Sequence, residues 1–432
     1  MAATPEHPPQ PVGKIHPQPW MTAPETRALL DALTADGGEV RFIGGCVRDS
    51  VLKRPVRDID LAVALPPQQV MALLDRAGIK AIPTGIDHGT VTAVVGGQCF
   101  EITTLRVDVE TFGRRARVAF TDDWLADAAR RDFTFNALSC TVDGDIYDYF
   151  DGLEDLGHGR VRFVGEASER IGEDMLRLLR FFRFYAHYGR APADPAALAA
   201  CRAWADKVET LSGERVRVEI FRTLMATDPA DVFELMQEHE VLRHVLPEAN
   251  GVGRLKMLSW IDSRAIHIDS VAPDPVRRLA ALLATDAAGA ERLALRLKLS
   301  NRQSDRLRAM VAPAQAINPD QPDKETIRAL HHLGARTARD LALLNWADEL
   351  VAAVRLPRGR NHRWAELLHR IDAWQPITFP LRGRDAMFLG IPPGPRMGAL
   401  LREVERWWED GGYRADQAAC MERLRSLIAA GD

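Results

Sequence analysis

The chain has 432 residues, 46% hydrophobic and 27% charged, an ordinary globular composition with more length than a single core serves. A formal net charge of -4 supplies no global basic field for nucleic acid, and no apolar run approaches the roughly 20 residues a membrane helix needs. Five scattered cysteines, Cys46, Cys99, Cys140, Cys201 and Cys420, with no C-x-x-C and no histidine at zinc spacing, argue against a disulfide framework or zinc site. They point to buried thiols in a reducing compartment, expected to be the cytoplasm.

The opening MAATPEHPPQPVGKIHPQPW has neither the basic start nor the apolar stretch of a signal peptide, and a flexible Pro-rich leader is expected over 1–22. From there to about residue 150 the text is rich in strand patterns: EVRFIGG (39–45), DIDLAVA (58–64), GTVTAVV (89–95) and CFEITTL (99–105). VRDSVLK and PQQVMALLDRAG between them carry helical spacing, and Asp143-Gly144 marks a hairpin within 136–152. Beyond DGLEDLGHGRVRFVG nearly every window is helical, with Leu, Ala and Arg dominant, as in 173–189, 194–211, 215–226, 275–286 and 364–375. The chain therefore divides into a mixed α/β head and an all-helical remainder, punctuated by APDPVR, NPDQPDK and QPITFPLRGRD.

Two features of the head carry chemistry. In RFIGGCVRDSVL a strand meets a helix through Gly44-Gly45. Such a turn lets backbone N–H groups approach a phosphate, with Arg48 in the first helical turn. Read alone, Gly-Gly is a tight turn needing positive φ. Then RDIDLAV places Asp58 and Asp60 two apart on a strand, so both side chains face the same way. Paired carboxylates beside a phosphate cradle suit a divalent cation and phosphoryl transfer. Glu101, mid-strand in FEITT, is a third acid whose burial would be costly without a counter-charge.

GGCVRD followed by RDIDLAV resembles the signature of nucleotidyltransferases with a DNA polymerase β-like head. The resemblance is to the bacterial-type group that holds tRNA CCA-adding enzymes and bacterial poly(A) polymerases. It implies an α+β nucleotidyltransferase head with a mixed β-sheet, followed by an all-α neck, body and tail. It also implies Gly44, Gly45 and Arg48 on a nucleoside triphosphate, Asp58 and Asp60 on Mg²⁺, and Glu101 as the third catalytic carboxylate. The expected divisions are the leader 1–22, head 23–152, neck 153–225, body 226–310 and an RNA-binding tail 311–432.

Two further strings extend the likeness. In ARRDFTFNAL, Arg130, Arg131 and Asp132 read as a charged helix end. The resemblance implies nucleotide binding by Arg131 and ribose selection by Asp132. In GEDMLRLLRFFRF, expected as one helix, Asp174, Arg177, Arg180 and Arg183 recur every third residue with Leu176, Leu179 and Phe182 packed behind. Cytosine and adenine each present an amine beside a bare ring nitrogen. A carboxylate and a guanidinium, Asp174 with Arg177, would complement both without a template. This is similar to the family's E-D-x-x-R motif at Glu173, Asp174 and Arg177, and the likeness extends nucleotide contacts to Arg180 and Arg183.

Between the strings, LRVDVETFGRRARVAFTDD (105–123) reads as a solvated loop bearing Arg106, Arg114, Arg115 and Arg117 against Asp108 and Glu110. By resemblance an element here serves the switch from C to A addition. TGIDHGTVTAVVGG (84–97) is similar to the CCA-adding type rather than to the basic segment of poly(A) polymerases. The expected reaction is Mg²⁺-dependent, template-independent addition of CMP and AMP, from CTP and ATP, to the 3′ acceptor end of tRNA. Poly(A) synthesis and a non-catalytic RNA-binding protein on the same head are the competing readings. Trp407 and Trp408 read as helix packing.

Overall fold

The computed structural model describes residues 10–112, 115–265, 268–353 and 355–430. Its strands are β1 (Gly13–Lys14), β2 (Val40–Ile43), β3 (Ile59–Val63), β4 (Lys80–Gly85) and β5 (Thr90–Val95), then β6 (Gln98–Thr104), β7 (Arg106–Phe112), β8 (Arg115–Phe120), β9 (Ser139–Cys140) and β10 (Asp145–Tyr147). β7 and β8 pair only with each other, and the remaining strands form one sheet in the order β1-β10-β9-β2-β3-β6-β5-β4. β3 and β6 run parallel, and the other neighbours are antiparallel. The mixed-sheet head and helical remainder read from the sequence are both present.

Both faces of the central strands are covered, which is why VRFI and IDLAV are almost wholly apolar. On one face, Leu29 and Leu33 from the helix Pro24–Thr34 and Val70 and Leu74 from the helix Pro67–Arg76 share a core with Phe42, Leu61 and Phe100. On the other face Ile43, Ala62 and Leu105 pack with Trp124. Strand alternation puts Asp60 on this second face, beside Ala62.

The helix Leu176–Tyr188 is anchored to the head by rings. Phe133 lies 5.1 Å from Phe184, Phe135 lies 5.9 Å from Tyr188, and Phe163 lies 6.0 Å from Phe181. Aromatic packing of this kind holds a helix in register against its support. The helix Pro229–Glu238 packs on it in turn.

The chain falls into two compact units, 1–249 and 250–432. The division lies inside the expected body 226–310, because the helices up to residue 249 pack back on the first unit. In the second unit, Arg278, wholly buried, donates to Asp262, while Arg277 and Arg306 share Asp340. Trp408 is buried in a separate apolar cluster with Leu381, Val404 and Leu424, whereas its neighbour Trp407 is exposed. No described helix is long and apolar enough to cross a membrane. All five cysteines are free, and Cys99 alone among them is exposed.

Three expectations are corrected. The leader 1–22 is not uniformly flexible: β1 pairs with β10, and Ile15 and Met21 are buried, since an edge strand recruits any chain that offers unpaired N–H and C=O groups. Residues 1–9 of that leader lie outside the described residues. The presumed loop 105–123 instead holds the antiparallel strand pair β7 (Arg106–Phe112) and β8 (Arg115–Phe120). The side chains at 108–117, including Asp108, Glu110, Arg114, Arg115 and Arg117, lie outside the described ones. Finally, 172–184 is not one helix but two, Ala167–Glu173 and Leu176–Tyr188, broken at Asp174 with φ -145° and ψ 106°.

The expected turn at Asp143-Gly144 joins β9 to β10, with Gly144 at φ +90°. A Cβ there would sit 2.1 Å from the Ile15 carbonyl oxygen. Gly144→Ala should therefore destabilise the head by about 2–3 kcal/mol in urea unfolding, combining backbone strain with expulsion of the N-terminal strand.

Candidate active site

The site begins where β2 ends. Gly44 adopts φ 65° and ψ -122°, a conformation other residues avoid, and turns the chain into the helix Gly45–Val51. Arg48 on that helix is buried and held on several sides. Its Nη1 donates to Asn136 Oδ1 at 2.7 Å, and its Nε and Nη2 donate to the two oxygens of Asp49 at 3.0 and 3.1 Å. The Tyr188 ring lies 4.3 Å from the guanidinium, and the Tyr188 hydroxyl donates to Asp49 at 2.9 Å.

Asp60 on β3 and Glu101 on β6 are register partners of the parallel pair, so they stand side by side on one face. Asp58 precedes the strand and is exposed, as is Glu101, while Asp60 is half-buried. Burial, then the charges of Glu101 and Asp58, push the Asp60 carboxyl up to about 6, with partial relief from Arg131. None of the three acids has an ion-pair partner among the described residues.

The second string supplies a hub. Asp132 is buried, and burial by itself would raise its carboxyl. Arg180, the Asn136 amide and the Phe133 N–H outweigh that and hold it below the usual carboxylate range. Arg180 Nε donates at 2.7 Å, Asn136 Nδ2 at 3.0 Å and the Phe133 N–H at 2.9 Å. Asn136 thereby links Asp132 to Arg48. Arg131 reaches back to the glycine turn, its Nη1 lying 3.7 Å from where a Cβ on Gly44 would be.

At the helix break, Asp174 accepts from the Leu176 N–H at 3.1 Å and from Arg215 Nη2 at 2.8 and 3.0 Å. Arg177 donates to Glu173 at 2.5 Å and to the Arg130 carbonyl at 3.0 Å. Breaking the helix lets the Asp174 carboxylate cap the next helix while its charge meets Arg215.

These groups surround an open cavity of about 550 Å³, within the range of nucleotide-sized sites. Of the expected residues, Gly44, Gly45, Arg48, Asp60, Arg131, Asp132, Asp174, Arg177 and Arg180 line it. Asp58, Glu101, Glu173 and Arg183 do not. Glu173 is turned to Arg170 and Arg177, and Arg183 pairs with the buried Glu219 at 2.5 Å. Arg106, Arg130, Asn136, Phe184 and Arg215, none of them expected as site residues, also line the cavity; by sequence Arg106 reads as part of a solvated loop and Arg130 as a charged helix end. Asn136 falls within ARRDFTFNAL, four residues after Asp132, a spacing at which the two side chains can pair. Arg215 lies 41 residues from Asp174, beyond any spacing rule.

The same architecture recurs in known proteins. Residues 40–162 match the family described as Poly A polymerase head domain, and residues 193–251 match the probable RNA and SrmB-binding site of polymerase A. The human CCA tRNA nucleotidyltransferase 1, mitochondrial, is 33% identical over 409 residues, covering 92% of this chain and 89% of that protein. The chain belongs to the CCA tRNA nucleotidyltransferase family. The CCA-adding enzyme of Leuconostoc citreum is 30% identical over 395 residues, covering 90% of this chain and 92% of that one. The crystal structure of the Bacillus stearothermophilus CCA-adding enzyme in complex with CTP superposes with a TM-score of 0.74 at 26% identity, covering 94% of this chain and 97% of that one.

Nucleotidyltransferases of this family generally use a divalent metal. The described residues hold no group of three or more His, Cys, Asp or Glu side chains arranged to bind one. The donor chemistry nonetheless fits: hard carboxylate oxygens, crowded enough to raise the Asp60 carboxyl and without a paired cation. Asp58 and Asp60, with Glu101 alongside, are the residues that would hold it.

The raised Asp60 carboxyl sets a pH dependence. The unfolded chain ionises near 3.8 and the folded one near 6, so the folded state binds more protons between those values. The contribution to stability is complete below pH 4 and is lost as pH rises through 6. In a chelator, Asp60→Asn should therefore stabilise the chain at pH 7.5 by on the order of 1–3 kcal/mol, and give little gain at pH 4. Melting temperatures across that range check it.

Proposed function

We propose that this chain adds CMP and then AMP, from CTP and ATP, to the 3′ acceptor end of tRNA. The observation that carries this reading is the cavity itself, where the half-buried Asp60, without an ion-pair partner among the described residues, faces several arginines beside a glycine turn. The primer 3′ hydroxyl oxygen would attack the α-phosphorus, its proton leaving to solvent. The bond to the β-phosphate bridging oxygen breaks, and pyrophosphate departs. Mg²⁺ held by Asp58 and Asp60 would supply the lowered hydroxyl pKa and offset triphosphate charge.

The remaining work falls to the protein. Gly44 and Gly45 admit the triphosphate to the helix N-terminus, and Arg48, Arg131 and Arg180 orient it at fixed positions. Asp132 holds Arg180 and Asn136 beside the ribose. Asp174 accepts from the exocyclic amine of cytosine or adenine, and Arg177 donates to the adjacent ring nitrogen. Asp174 is pinned by Arg215, and Arg177 by Glu173 and the Arg130 carbonyl, which favours one fixed reading edge. The helices beyond the head would hold the acceptor arm by its backbone, and the free cysteines suit a reducing compartment such as the cytoplasm.

Poly(A) synthesis is a second reading, since the head match is described by that name. Incubating tRNA that lacks its terminal residues, and an unrelated RNA, with CTP, ATP or both separates the two. CCA addition restricted to tRNA is expected, and long A tails on either RNA would reverse the choice.

Asp60→Ala should abolish incorporation, by at least about a thousandfold, while leaving tRNA affinity within about threefold. A gel-shift titration beside the activity assay checks both halves and separates an enzyme from a non-catalytic RNA binder. Asp174→Ala should relax base choice by about tenfold or more toward UTP and GTP, read as relative incorporation rates.

A further inference from the structure

Asp127 belongs to none of the strings that suggest catalysis and does not line the cavity, yet three cavity elements meet on its carboxylate. It sits on the short helix Trp124–Ala129 and is 3% exposed. Arg130 Nε donates to its Oδ1 at 2.9 Å and Arg130 Nη2 approaches the same oxygen at 2.7 Å. Arg131 Nη2 donates to Oδ2 at 2.9 Å. The backbone N–H of Arg106, the first residue of the β7–β8 strand pair, donates to Oδ1 at 3.3 Å. Burial alone would raise this carboxyl, and the two arginines instead hold it below the usual range, so it is ionised at neutral pH.

The far side of each partner faces the site. Arg131 presents Nη1 to the Gly44 turn while Nη2 is tied to Asp127. Arg130 lines the cavity, and its carbonyl accepts from Arg177. A guanidinium is planar, so fixing one edge fixes the direction of the other. Holding Arg131 at Nη2 therefore sets where Nη1 points, which is the direction from which a triphosphate would reach Gly44 and Gly45.

We infer that Asp127 is a positioning residue for the triphosphate. It acts through Arg131, and it ties the β7–β8 strand pair to the same carboxylate. The inference rests on the nucleotidyltransferase reading above. It has a sign that distinguishes it from simple electrostatics. Asp127 is an anion close to where an anionic ligand would bind, so through-space charge alone predicts tighter binding when it is neutralised. Positioning predicts weaker binding, because Arg131 loses the charge-assisted bond that orients it.

The test uses the full chain and equilibrium titration of CTP, ATP and inorganic pyrophosphate. Asp127→Asn is nearly isosteric and retains an oxygen for the Arg106 N–H. Affinity for all three ligands should fall by about tenfold, and by the same factor for each, because the effect acts on phosphate and not on base. Unchanged or tightened binding overturns the proposal, as does a loss confined to one base.

Arg131→Lys keeps the charge but loses the fork, and should weaken the same ligands by a similar factor even if the Asp127 variant folds poorly. In the double variant the two effects should not add, since one acts through the other. Full additivity counts against the proposal. A wild-type chain that incorporates no nucleotide while still binding pyrophosphate in this pattern would instead defeat the functional reading and leave the positioning role standing.

Discussion

Like charges held side by side on a parallel strand pair repel each other, and the pairing of β3 with β6 imposes that arrangement on Asp60 and Glu101. No rotamer choice removes it, because register partners in a parallel ladder share a face and the opposite face is filled by Leu61, Ile102 and Phe100. The Asp60 carboxyl responds by moving to about 6. A sheet that keeps such a site retains a local instability, which a cation with an anionic ligand bound there would relieve. Strand order, the glycine turn and the surrounding arginines all serve that one crowded corner.

The arginines around the cavity would repel one another if left free, and six of them are instead fastened to acids, of which Asp132 and Asp174 themselves line the cavity. Arg48 is held by Asp49, Arg130 and Arg131 by Asp127, Arg177 by Glu173, Arg180 by Asp132 and Arg215 by Asp174. Pairing offsets much of the positive charge, and in Arg131 it leaves Nη1 turned to the glycine turn. Binding in such a site depends on orientation more than on bulk attraction.

Rigid support for this arrangement comes from the rings that bind the helix Leu176–Tyr188 to the Phe133–Phe135 segment. Tyr188 takes part twice, through ring packing with Phe184 and through its hydroxyl on Asp49. Arg48 on the head and Arg180 on the helix are thereby tied to one framework through Asn136 and Asp132. Two arginines that read as separate motifs behave mechanically as one unit.

Local rules carried much of this. The Gly44 turn, the Asp143-Gly144 hairpin and the shift to helical spacing after residue 150 each depend on neighbours in the chain and were correctly anticipated, as was the strand that carries Asp60, whereas Asp58, expected on the same strand face, falls just before that strand. The family was also anticipated, because its strings are short and contiguous. What depended on distant partners was not readable. The N-terminal strand pairs with residues 145–146, the helix breaks at Asp174 to meet Arg215, and Glu173 and Arg183 turn away to other charges. No local spacing singles out Asp127. Its significance came only when folding delivered Arg106, Arg130 and Arg131 to the same carboxylate, because a charge acts through the space around it and not along the chain.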